Sequence, residues 1–91
     1  MVDEIYDKQK LMMKVGLELA SLLREVIPKS DFQHLHELFS ANEYGEALYF
    51  IDWMIENQKP NFSDDIKIKI TEVKYVNSEI HKLFEERERC R

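Results

Sequence analysis

Ninety-one residues, 44% of them hydrophobic and 34% charged, suffice for one domain around one core and leave no room for a second. A globule of this size has about 5–10 kcal/mol of stability, too little to carve a deep, water-excluding cleft from its own core, and this argues for a binder over an enzyme. The net charge of −5 is concentrated in the middle: residues 1–30 carry five acids and five bases, residues 66–91 five acids and seven bases, and residues 31–65 eight acids against Lys59 alone. That field repels nucleic acid and anionic lipid and attracts a basic protein, although acids also simply keep a small domain soluble.

The N-terminal stretch "MVDEIYDKQKLMMKVG" has neither a basic leader nor an unbroken apolar run, so neither a signal peptide nor a membrane span is expected. Cys90, the single cysteine, lies in the tail "EERERCR" without an intramolecular partner, which fits a reducing compartment; a cytoplasmic location is expected. Two glycines, two prolines and the lack of strand-like alternation point to helices throughout.

The first helix is expected from about Asp3 to Val26. Ile5, Met12, Val15, Leu19, Leu22 and Val26 form its apolar stripe, Leu11, Leu23 and Ile27 widen it, and Pro28 ends it. A short second helix, about two and a half turns, begins at Ser30 with Gln33 in capping-box spacing and turns Phe32, Leu35, Leu38 and Phe39 inward. Ser40 and Glu43 repeat that spacing, with Asn42 as a competing cap, so the third helix starts within 41–43 and stops before Lys59-Pro60. Ser63 caps the fourth, where Asp64 and Asp65 complement the helix dipole, and Ile66, Ile70, Val73, Ile80 and Phe84 line its buried side. Asn77 falls on that stripe, either as a satisfied rim residue or as a buried polar group that fixes register. The expected fold is all-α: a four-helix antiparallel bundle over 1–84 with the second helix tilted across one end, followed by a charged, frayed tail over 85–91.

The third helix, "NEYGEALYFIDWMIEN", is apolar beyond the needs of one buried stripe. On a wheel, Tyr44, Ala47, Leu48, Ile51, Met54 and Ile55 form the docking side. Glu46, Tyr49, Trp53 and Glu56 follow one another on the opposite side, with Asp52 beside them and Phe50 on the flank. Rings bracketed by carboxylates in water mark a recognition surface. The other reading is a helix buried on both sides, with Trp53 filling a gap against the first helix; three acids on that side, without basic partners, would be costly to bury. The candidate partner-binding residues are therefore Glu43, Glu46, Tyr49, Asp52, Trp53 and Glu56.

The run "NEYGEALYFIDWMIENQKP", with a short helix and acidic cap before it and an Ile- and Leu-bearing helix after Pro60, resembles the small helical immunity proteins of bacterial polymorphic toxin and contact-dependent growth inhibition systems, the MafI-like group in particular. The resemblance covers about residues 30 to 84 and rests mainly on "EYGEAL" and the spacing to Pro60. It implies a cytoplasmic inhibitor that binds the C-terminal domain of a cognate toxin, often a nuclease. Other DNase-inhibiting immunity proteins are also acidic and four-helical, but their Tyr-Tyr-Pro motif is absent here and their binding residues are not carried over. On this reading Tyr49 and Trp53 anchor the partner while Glu43, Glu46, Asp52 and Glu56 steer and pair with its basic surface, and the free protein is a monomer or weak dimer.

No catalytic arrangement, cofactor or metal site is expected. His34 and His36 diverge on a helix, His34 with Glu37 lacks further ligands, His81 stands alone, and neither a phosphate loop nor a Cys-His cluster occurs. The competing reading is a helical protein–protein interaction module or homodimeric regulator without a toxin partner. A nucleic-acid-binding regulator would have to use Lys67, Lys69, Lys74 and Lys82, which are interleaved with acids.

Overall fold

The computed structural model describes residues 3–58 and 60–89. Four helices, α1 (Glu4–Leu23), α2 (Lys29–Ser40), α3 (Tyr44–Asn57) and α4 (Asp64–Arg89), form an all-α bundle 44 Å long and about 20 Å across. α1 and α4 run antiparallel as its long spine, as the ion pairs Arg87–Asp3 (3.2 Å) and Lys69–Glu18 (3.6 Å) near opposite ends require. α2 lies antiparallel alongside the C-terminal half of α1, with Phe32 against Arg24 and Phe39 against Gly16, and not across the end as expected from its shortness. At 12 residues it is about a turn longer than expected.

α1 starts where Asp3 accepts hydrogen bonds from the N–H groups of Ile5 (3.1 Å) and Tyr6 (3.3 Å) on one carboxylate oxygen, which also meets Arg87 of α4. This cap ties the first helix to the end of the last. The helix closes at Leu23, three residues before the expected Val26, because the N–H groups of Val26 and Ile27 both turn back to the Leu23 carbonyl ahead of Pro28. Its buried face is Ile5, Met12, Val15, Gly16, Leu19, Ala20 and Leu23, with Ile27 following. Leu22 and Val26, assigned to the stripe from sequence, are exposed, as is Leu11. The face drifts the other way, toward Gly16 and Ala20, whose small side chains admit the second layer of helices. A Cβ at Gly16 would lie 2.2 Å from Cδ1 of Phe39, so the glycine is what lets this fully buried ring seat against the α1 backbone.

Neither expected capping box forms. Pro28, with φ −56° and ψ 147°, precedes α2, and no side chain caps it. α3 likewise begins after Glu43 with no side-chain cap, because Ser40 is the last residue of α2 and Asn42 does a different job. Asn42 takes φ 62°; its N–H bonds to the Phe39 carbonyl (3.1 Å) and that of Glu43 to the Leu38 carbonyl (2.8 Å), the paired bonds of a Schellman helix end. The Asn42 side-chain oxygen is buried without a partner. Asn42→Gly should therefore leave the turn intact and raise stability by up to about 1 kcal/mol, read as an increased urea midpoint at unchanged m-value; a loss would show that the amide is bonded in solution.

Ser63 caps α4 as expected, accepting the Ile66 N–H at 3.4 Å. The buried side is Ile66, Ile70, Val73, Val76 and Ile80, with Phe62 of the preceding connection also sealed in; neither Phe62 nor Val76 was assigned to the core from sequence. Phe84 stands exposed while Leu83 beside it is half-buried, and the helix continues through residues 85–89 with no break at 84. Cys90 lies outside the described residues. Asn77 sits at the rim, half-buried, with its side-chain oxygen unpartnered.

Lys69 reaches Glu72 (3.0 Å) and Glu18 (3.6 Å), and the Glu72 hydrogen bond leads in holding its pKa above the ordinary 10.5. Hydrogen bonding to Glu79 likewise raises the Tyr75 phenol above 10.0. Each group keeps its proton longer in the folded chain than in the unfolded one, so the stabilisation is complete below pH 10.0 and is lost as pH rises through the folded values. Urea midpoints flat from pH 8 to about 9.5 and falling beyond are the expected profile.

Candidate interaction surface

α3 leans on the bundle through Ala47, Leu48, Ile51 and Met54, all buried, with Tyr44 and Phe50 packed partly against the same core. Tyr44 also accepts a hydrogen bond from Gln9 of α1 at 3.5 Å. Ile55, expected on this side, is exposed: it belongs to the last helical turn, where the chain leaves the bundle for the α3–α4 connection.

The opposite side of α3 faces water. Tyr49 is 77% exposed and Trp53 44%, and Glu43, Glu46, Asp52 and Glu56 are all exposed. The two anchors differ in how they are held. Tyr49 stands free of the core. Trp53 stacks on Phe50 (centroids 5.9 Å apart, planes 18° apart), and Phe50 in turn makes a T-shaped contact with His34 of α2 (5.0 Å, 79°). A ladder of three rings thus crosses the α2–α3 junction, and each contact has the offset or edge-on geometry that aromatic quadrupoles favour. It restricts the Trp53 rotamer before any partner arrives, which lowers the entropy cost of using the ring in an interface.

The carboxylates are also unequal. Asp52 lies on the α4 side of the helix, where Lys74 pairs with it at 2.9 Å. Both partners are about half exposed, so the pair contributes little stability, but it offsets one of the acids assigned to the surface. Among the described residues, Glu43, Glu46 and Glu56 carry no ion pair. The negative side of the surface therefore lies along these three and not along all four.

Sequence reasoning missed His34 and underused Phe50. Phe50 was legible, because it precedes Trp53 by three residues and so neighbours it on the helix surface. His34 was not, since its position over Phe50 depends on how α2 packs. Beside this ladder lies an open groove of about 470 Å³ lined by His34, Gly45, Glu46, Tyr49 and Phe50. Among the described residues no three His, Cys, Asp or Glu side chains converge as a metal shell would require. No described helix is long and apolar enough to cross a membrane. Two of the four lysines that a nucleic-acid reading would use are taken up by carboxylates, Lys69 by Glu18 and Glu72 and Lys74 by Asp52.

Comparison with family models, with curated proteins and with solved structures found no match to this chain.

Proposed function

We propose that the chain is an immunity-type inhibitor in the cytoplasm, which binds and neutralises a basic cognate toxin domain, a nuclease in the first instance, through the exposed face of α3. The observation that carries this reading is the pairing of two water-facing rings, Tyr49 and Trp53, with the carboxylates of Glu46 and Glu56 on one side of α3 and that of Glu43 at its N-terminal cap. Rings of this kind supply rigid contact area at low entropic cost, and uncompensated acids steer a positive surface into register while rejecting anionic competitors. A nuclease must present Lys and Arg around its active site to hold phosphate, so it is a fitting target, met either at the active site or beside it. The resemblance of "EYGEAL" and its spacing to Pro60 to MafI-like immunity proteins points the same way.

The test is co-expression with candidate basic toxin domains. Rescue of growth with a 1:1 complex by light scattering supports the proposal. Toxicity that persists at equal expression, with no complex, counts against it. A second reading, a self-associating interaction module, is favoured by one observation: Ile68 (66% exposed) and Tyr75 (61%) lie a heptad apart on the outer side of α4. A stable dimer by light scattering in the absence of any partner would support that reading instead.

A further inference from the structure

The groove beside the ring ladder has a more specific chemistry than the face as a whole. Phe50 presents its ring there, already fixed by His34 and Trp53; Tyr49 lines a second side, Glu46 contributes a carboxylate, and Gly45 contributes no side chain at all. A Cβ built at Gly45 meets nothing within 4 Å, so the space beside this residue is open. Aromatic faces attract cations, and a carboxylate at the rim of an aromatic site strengthens that preference.

The competing term is the N-terminus of α3, which begins at Tyr44 and carries about half a positive charge. It does not decide the sign. The C-terminus of α2 ends at Ser40, only a short turn away, with a similar negative end, so the two dipole ends largely cancel across residues 41–43. Glu43 and Glu46 then leave the groove negative by full unit charges.

We propose that this groove is a receptor for a single arginine side chain of the partner, with the guanidinium stacked on the Tyr49 ring, beside Phe50, and paired with the Glu46 carboxylate. Arginine fits better than lysine because its planar, weakly hydrated head stacks on rings and offers two parallel donors to one carboxylate, whereas an ammonium keeps its water. The inference rests on reading the α3 face as a surface for basic proteins, yet it is testable without any partner.

The probe is N-acetyl-arginine amide, titrated into the full chain and followed by amide NMR shifts and by the fluorescence of Trp53, the only tryptophan. The chain has two glycines: Gly45 in the groove and Gly16 in the core, where it serves as an internal control. Saturable shifts at Gly45 but not Gly16 are expected, with a dissociation constant on the order of 1 mM. The lysine amide should bind at least threefold more weakly, and the citrulline amide, which is uncharged, should not bind measurably. Glu46→Gln should weaken binding at least threefold, and Gly45→Leu, whose Cβ meets no atom within 4 Å and whose branched end enters the groove, should abolish it without lowering the melting temperature. Equal binding of the citrulline amide, tighter binding of the lysine amide, or full binding by Gly45→Leu would each overturn the proposal. If the probe fails while a basic toxin domain still binds through Tyr49 and Trp53, the arginine receptor is wrong and the inhibitor reading stands. If the probe binds as described and no toxin domain does, the reverse holds.

Discussion

Gly16→Ala should destabilise the bundle by about 1–3 kcal/mol, opposite in sign to the usual effect of replacing a mid-helix glycine. In an open helix the change gains about 1 kcal/mol, because alanine loses less backbone entropy on folding. Here the new methyl would sit 2.2 Å from Cδ1 and 2.6 Å from Cε1 of Phe39, a ring only 1% exposed that cannot retreat without opening the α1–α2 contact. Phe39→Ala should cost more, about 3–5 kcal/mol, since it removes the largest fully buried side chain and leaves a cavity against a glycine that cannot fill it. Against a total of about 5–10 kcal/mol, that variant is marginal at 37 °C. The double variant separates overpacking from other causes. In the Phe39→Ala background the alanine at 16 meets no ring, so adding it should stabilise by up to about 1 kcal/mol, giving a large coupling energy in a double-mutant cycle by urea unfolding. Additive losses would mean that Gly16 and Phe39 are not in contact.

Tyr49→Ala and Trp53→Ala should each weaken binding of a basic partner by about 2–4 kcal/mol, and their effects on folding should differ. Tyr49 is mostly in water, so its removal should leave stability within about 0.5 kcal/mol of the parent chain. Trp53 has somewhat more than half of its surface covered and stacks on Phe50. Losing roughly 100 Å² of covered apolar area costs at most about 2–3 kcal/mol, and the better helix propensity of alanine offsets part of it, leaving a loss of about 1–2 kcal/mol. Tyr49→Ala is therefore the cleaner probe of recognition, and Trp53→Ala must be read at a temperature where the variant remains folded. Calorimetric titration beside thermal melts checks both. Tyr49→Ala binding as the parent does would remove that ring from the interface.

The helices were legible because each carries its own period and punctuation. Pro28, Pro60 and Ser63 set boundaries by local chemistry, and most buried positions of α3 and α4 followed from spacing at three and four residues, although Ile55 and Phe84 are exposed and Val76 was missed. The errors have a common origin in tertiary geometry. Ser30 and Ser40 have the spacing of caps, but cap use depends on where the preceding helix stops, and a left-handed Asn42 closing α2 was not readable as such. Leu22 and Val26 match an apolar stripe as well as Leu23 and Ile27 do; which pair is buried is decided by the approach of Phe39 to Gly16, a contact between residues 23 positions apart. At the candidate site, the alternation of rings and acids on α3 was readable residue by residue. The pairing of Asp52 with Lys74 and the seating of His34 on Phe50 were not, because both partners come from other helices.

The most direct test is an NMR footprint of the isotope-labelled chain, titrated with a basic toxin domain whose toxicity it relieves. Shift changes and line broadening concentrated on residues 43–56 and His34, weakening with added salt, are the predicted result. A footprint confined to the outer side of α1 and α4 around Leu11, Ile68 and Tyr75, with the amides of Tyr49 and Trp53 unmoved, would contradict it.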